Sequence, residues 1–249
     1  MADKHKIEEE EHWSATSDLM AGLMMVFLLV SIAYMHAIEQ DKQEIITAQK
    51  KIEREQEKIK AIVVTYQETQ SALYDQLNDE FKEDLPRWQA SIDRESLSVQ
   101  LFEPEILFQA GSAEVTPKFK EILDDFFPRY LEVIFSDKFR EAIAEVRIEG
   151  HTSSEWIQGK STPDEAYFHN MQLSQERTRS VLMYCHEVAP DKYKNLMKQH
   201  VTANGLSSSK LIYQEDGTED MARSRRVEFR TRTNADRRIK EILGELEND

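Results

Sequence analysis

The apolar positions are spread very unevenly along the chain. From Leu19 to Ile38 there are twenty residues without Asp, Glu, Lys or Arg. At a helical rise of about 1.5 Å per residue this run matches a hydrocarbon core about 30 Å thick. It predicts a transmembrane helix over 14–38, preceded by a short acidic tail over 1–13 with no apolar periodicity. Trp13 is placed as an interfacial aromatic, and Ala21 and Gly22 would permit close helix contact. After Glu39 the chain turns to Glu, Gln, Lys and Ile, with no Gly or Pro before Pro86. This predicts a helical stalk over 39–90. Ile38, Ile45, Ile52, Ile59, Tyr66 and Leu73 recur every seven residues, the spacing of a coiled-coil seam. The positions three residues on, among them Asp41, Glu55 and Gln76, are mostly polar, so the pattern fits a weak parallel homodimer or a solitary solvated helix.

From Ser96 the periodicity becomes mixed. Leu97, Val99 and Leu101 alternate with polar neighbours, predicting a strand that continues toward Phe108. Phe119, Ile122, Leu123, Phe126, Tyr130 and Ile134 return at helical spacing, with Pro128 expected to kink that helix. Val146 and Ile148 predict a strand ending at Gly150. Ser174 suits the cap of a second helix that buries Val181, Leu182 and Cys185. Val201–Gly205 and Val227–Thr231 predict two more strands, and Ile239, Ile242, Leu243 and Leu246 predict an amphipathic helix over 234–249. The alternating order favours a two-layer α/β sandwich. A long polar loop is expected from Ser153 to His169, and loops of that length tend to form binding rims.

Charge and cysteine usage narrow the partners. A net charge of −15 over 249 residues disfavours nucleic acid and anionic lipid as general ligands. The single Cys185 cannot form an internal disulfide. A cleaved secretory signal does not fit, because Glu8 to Glu11 stand where a basic region would be and the apolar run is long. Lys4 and Lys6 before the span, set against Lys42, Lys50, Lys51 and Arg54 after it, leave the orientation open. An acid in or beside an apolar span is costly and raises a functional question, and Asp18 is in that position. It could cap the helix, whose dipole favours a carboxylate at this end, or it could carry an ion. The histidines show no close ligand spacing and there is no glycine-rich phosphate loop, so neither a metal nor an enzymatic activity is expected.

Four strings in order, LFQAGSAEVTPKFKEIL from Leu107 to Leu123, IEGHT from Ile148, NMQLSQERTRSV from Asn170 and RSRRVEF from Arg223, resemble the OmpA-like peptidoglycan-binding domain over residues 95–233. That resemblance implies a mixed-sheet OmpA-like sandwich. It also implies a peptidoglycan stem-peptide site built from Asn170, Leu173, Arg177, Arg225 and Arg226, since an arginine fork suits a carboxylate. Two positions depart from the family pattern. Ser153 replaces an acid expected to hold the ligand's ammonium, and Ser224 replaces an asparagine.

Ahead of that domain, WSATSDLMAGLMMVF resembles the ion-carrying helix of the MotB class of stator subunits, closest in its details to the Zorya anti-phage defence type. The resemblance implies an inner-membrane, single-pass subunit with a cytoplasmic N-terminus and a periplasmic domain. It further implies a homodimer inside a ring of a polytopic MotA-like (ZorA-like) subunit, five around two, with Asp18 carrying protons and no cofactor. A flagellar-type stator subunit and a passive wall tether are the alternative readings.

Overall fold

The computed structural model describes residues 2–102, 104–156 and 160–234. The amphipathic helix expected over 234–249 lies outside the described residues apart from Asn234. The chain divides into two units, 1–60 and 61–249.

A single helix, α1 (Ala2–Phe81), begins in the first unit and ends in the second. The short acidic tail is helical from Ala2. Between Leu19 and Ile38 the large apolar side chains are exposed on every face of the helix. Among the described residues this is the one segment long and apolar enough to cross a membrane. Ile38, Ile45 and Ile52, from the expected seam, are also exposed in the single chain.

Further along, the helix becomes part of a globular core. Leu73, Leu77 and Phe81 follow i, i+4, i+8 spacing and are fully buried. Phe81 meets Trp88 and Phe126 with ring centroids 5.9 and 5.2 Å away. The compact unit thus starts at 61, and part of the segment expected to be stalk is core. Leu73 ends the heptad series by packing inward. Arg129 ties the end of α1 to the domain, donating to Glu80 at 2.7 Å, and to Asp84 and Asp125 at 2.9 and 3.0 Å.

After α2 (Leu85–Trp88) come β1 (Ala90–Asp93) and β2 (Ser98–Leu101), α3 (Pro104–Leu107), α4 (Pro117–Ile134), β3 (Ile143–Gly150), α5 (Pro163–Val188), α6 (Asp191–His200), β4 (Val201–Gly205), α7 (Met221–Ser224) and β5 (Val227–Thr233). The strands form one sheet in the order β1-β2-β5-β3-β4. Among the described strands only β3 and β4 run parallel, and β5 is central and antiparallel to both neighbours. This is the mixed sheet of the expected α/β sandwich. Phe229 on β5 packs against Phe126, Phe127 and Tyr130 of α4, and the buried Tyr130 hydroxyl bonds the Thr231 hydroxyl at 2.7 Å.

Several local expectations change. The first strand stops at Leu101, because α3 intervenes with Pro104 at its first position, where a missing N–H costs nothing. Phe108 instead forms an isolated bridge with Val115. α4 runs through Pro128 as one helix. Ser174 is not a cap. α5 begins eleven residues earlier, at Pro163, where Thr162 and Glu165 bond each other's backbone N–H in a reciprocal capping box. The polar loop after Ser153 is correspondingly shorter. The strand β1 and the helix α6 are additions to the expected order.

Candidate functional site

The functional side chains gather where α5 crosses the ends of β3 and β4. This crossing is close because two residues lack a side chain. A Cβ on Gly150 would lie 2.6 Å from Thr178 Cγ2, and one on Gly205 would lie 2.3 Å from the Gln175 nitrogen. Ser174, in mid-helix, receives the Ser207 N–H on its hydroxyl at 3.1 Å and so pins α5 to the segment after β4. Asn170, Leu173 and Arg177 then project from one face of α5, being three and seven residues apart.

These three residues line a cleft of about 330 Å³ with Phe108, Gly111, Ser153, Trp156 and Arg225. The Asn170 carboxamide is buried and donates to the Ser153 and Glu155 carbonyls, both at 3.1 Å, which closes the loop after β3 against the helix. Ser153 is buried and Leu173 supplies an apolar wall. Trp156 stacks on His169 with centroids 5.2 Å apart. Ser154 donates its N–H to Glu219 at 3.1 Å and its hydroxyl to the same carboxylate.

Arg177 is the most constrained charge in the cleft. Its Nε donates to the Ser112 carbonyl at 2.8 Å and Nη2 to that of Gln109 at 3.3 Å, while the guanidinium lies 4.7 Å from the Phe108 ring centroid. The turn that offers those carbonyls needs Gly111, which has φ +70°. Burial, then the neighbouring Arg225 charge, pushes the Arg177 guanidinium down to about 10. Neither effect is offset by a carboxylate, so an anion entering the cleft would relieve both. Arg225 is held by its Nε donating to the Met221 carbonyl at 3.1 Å. Among the described residues, Glu155 is the one acid lining the cleft.

Of the residues expected from the sequence, Asn170, Leu173, Arg177, Arg225 and Ser153 come together. Arg226 does not line this cleft. It is buried, with Nε donating to Glu228 at 2.6 Å and Nη1 to the Lys210 and Ser224 carbonyls at 3.1 and 3.2 Å. Ser224, also buried, accepts the Ile212 N–H at 2.9 Å and holds the preceding loop. Asp18 is exposed on α1. The contribution of Gln109, Ser112 and Phe108 was not read from the sequence, because backbone carbonyls leave no residue signature. Trp156 did leave one, as a large aromatic early in a polar loop.

Beside the cleft, Glu149, His151 and Glu228 form a buried set with ligand atoms within 4.8 Å of one another. Glu149 and Glu228 face each other in register across β3 and β5. Their charge is already answered by Arg226 and by Arg230, 3.9 Å from Glu149, so a divalent cation would leave an excess of positive charge. The set is a charge network that ties β5 to β3. Burial, then Arg226, Arg230 and Lys210, pushes His151 down to about 3, which keeps its imidazole neutral.

No family model matches the chain. Among solved structures, the chain is similar to a MotB-like protein from Desulfovibrio vulgaris, 20% identical with a TM-score of 0.47 over 67% of this chain and 96% of that one. It is also similar to the cell wall anchor of the T6SS from Pseudomonas aeruginosa, 21% identical with a TM-score of 0.42 over 63% and 96% of the two chains. The periplasmic domain of Helicobacter pylori MotB is 17% identical with a TM-score of 0.41, over 61% and 87%. In sequence, the chain is 47% identical over 241 residues to the Zorya protein ZorB of Escherichia coli, covering 96% of this chain and 95% of that protein. Identity at that level along nearly the whole of both chains makes this protein a member of the ZorB family of Zorya proteins.

Proposed function

We propose that the chain is the wall-anchored, ion-carrying subunit of an inner-membrane Zorya complex acting in anti-phage defence. The observation that carries this reading is one continuous helix with Asp18 at the start of an otherwise uncharged span, in a chain whose second unit holds the Arg177 cleft. The N-terminus is cytoplasmic and the cleft-bearing domain periplasmic. The cleft takes a carboxylate of the peptidoglycan stem peptide on Arg177 and Arg225. Ser153 offers a hydroxyl where an acid would bind an ammonium.

A single helix cannot enclose an ion path, so the remaining walls come from a polytopic MotA-like partner, five copies around two of this chain. The exposed Ile38, Ile45 and Ile52 supply the seam between those two. Asp18 takes up a proton when its surroundings are desolvated and releases it when water or a cation is near, so its charge changes as the ring passes. Asp18→Asn in the assembled complex is expected to abolish both proton flux and phage protection. Flux that survives the substitution rules out the carrier role. Arg177→Ala is expected to abolish peptidoglycan pull-down by the full chain, and retained binding rules out the site. The passive tether remains distinguishable, since it predicts wall binding with no effect of Asp18→Asn on protection.

A further inference from the structure

The span contains a second ionisable group on the Asp18 face. Eighteen residues separate Asp18 from His36, about five whole turns of an α-helix, so α1 carries both on one side and about 27 Å apart along its axis. The residues between them on that side, Gly22, Met25 and Leu29, offer no polar group. The other polar side chains of this stretch lie elsewhere: Ser31 is about 140° and Tyr34 about 160° round the helix from Asp18. The Ser31 hydroxyl is moreover engaged with the Phe27 carbonyl at 2.8 Å. His36 is exposed, two residues before the span ends at Ile38. Of the charged groups that follow it, Glu39 faces Lys42 at 3.8 Å and accepts from Gln43 at 3.2 Å.

From this placement we infer that His36 is the proton relay at the opposite mouth of the path that ends on Asp18. An imidazole can accept and donate a proton near neutral pH through its two ring nitrogens, which neither a serine nor an amide does. An ionisable side chain this close to the bilayer core is costly unless a path or partner uses it. The apolar distance between the two residues is crossed on groups or water supplied by the partner helices. His36 thus acts as a positioning and relay residue for the proton that Asp18 binds. The inference rests on the ion-carrying reading of Asp18.

The test uses the full chain assembled with its polytopic partner in vesicles, with proton flux followed between about pH 5 and about pH 8. His36→Gln is expected to lower flux by about a hundredfold or more, the scale of a lost proton-transfer group. His36→Glu is expected to restore part of it with the pH profile moved to the acid side, because a carboxyl titrates about two units below an imidazole. Wild-type flux and pH profile in His36→Gln would overturn the inference, as would flux that depends on sodium and ignores pH. Where His36→Gln fails to assemble, the His36→Glu profile decides, and an unmoved profile overturns it. Asp18→Asn separates the two readings. Flux lost in Asp18→Asn but unchanged in His36→Gln defeats the relay alone, whereas flux retained in Asp18→Asn defeats the carrier reading beneath it.

Discussion

Helix α1 carries two apolar stretches of opposite kind. Phe27, in the first, is 74% exposed, whereas Phe81, in the second, is 0% exposed. The difference follows from arrangement rather than from residue type. Leu19 to Ile38 is apolar all round, which leaves no polar face for water and calls for lipid or partner helices. Leu73, Leu77 and Phe81 form one stripe on a stretch whose other positions are mostly polar, and Phe81 packs against Trp88 and against Phe126 of α4. A hydrophobic face is thus assigned to protein or membrane by how far round the helix it extends.

The largest effect that would sharpen this contrast is in the packed stripe. Phe81→Ala removes a ring that touches Trp88 and Phe126, and is expected to lower domain stability by about 3 to 5 kcal/mol in a denaturant melt of the full chain. Acid should act next, and on the same region only. His151 is held near 3 in the fold and titrates near 6.5 when unfolded, so the unfolded state binds more protons as the pH falls below about 6.5 and stability is progressively lost toward 3. Burial raises the Glu149 carboxyl, which works in the opposite sense at lower pH. His151→Gln should flatten the slope between pH 7 and about pH 5, while the helical signal of the span stays constant. Thr162→Ala, which removes the capping box of α5, should cost about 1 kcal/mol in the same melt. Smallest of all, Phe27→Ala should leave domain unfolding unchanged within about 0.5 kcal/mol. A destabilisation as large as that of Phe81→Ala would collapse the distinction between the stretches.

The same contrast explains what the sequence disclosed. The span was legible as one unbroken apolar run, and β3 and β5 because apolar residues alternate with polar ones, whereas Asn170, Leu173 and Arg177 were legible only through the resemblance of NMQLSQERTRSV to the OmpA-like domain. β1 was missed because Ala90–Asp93 is four residues long and half-buried throughout, so no alternation marks it. The start of α5 was misplaced because Ser174 and Thr162 are equally good caps by type. The neighbouring Pro163 and Glu165 make the choice, and they stood inside a segment that looked like a polar loop. Arg226 and Glu228 alternate with Val227 like solvated strand charges. That they face a buried histidine depends on the pairing of β3 with β5, which their own segment does not reveal.

The hold on Arg177 also bears on how long a bound anchor would last. An arginine free in solvent must give up rotamer freedom when it grips a carboxylate, and that loss weakens the complex. Here the Ser112 and Gln109 carbonyls and the Phe108 ring fix the guanidinium before any ligand arrives. The ordering is completed when the domain folds. More of the interaction energy then opposes dissociation, so under the proposed function a carboxylate bound on Arg177 would be released slowly.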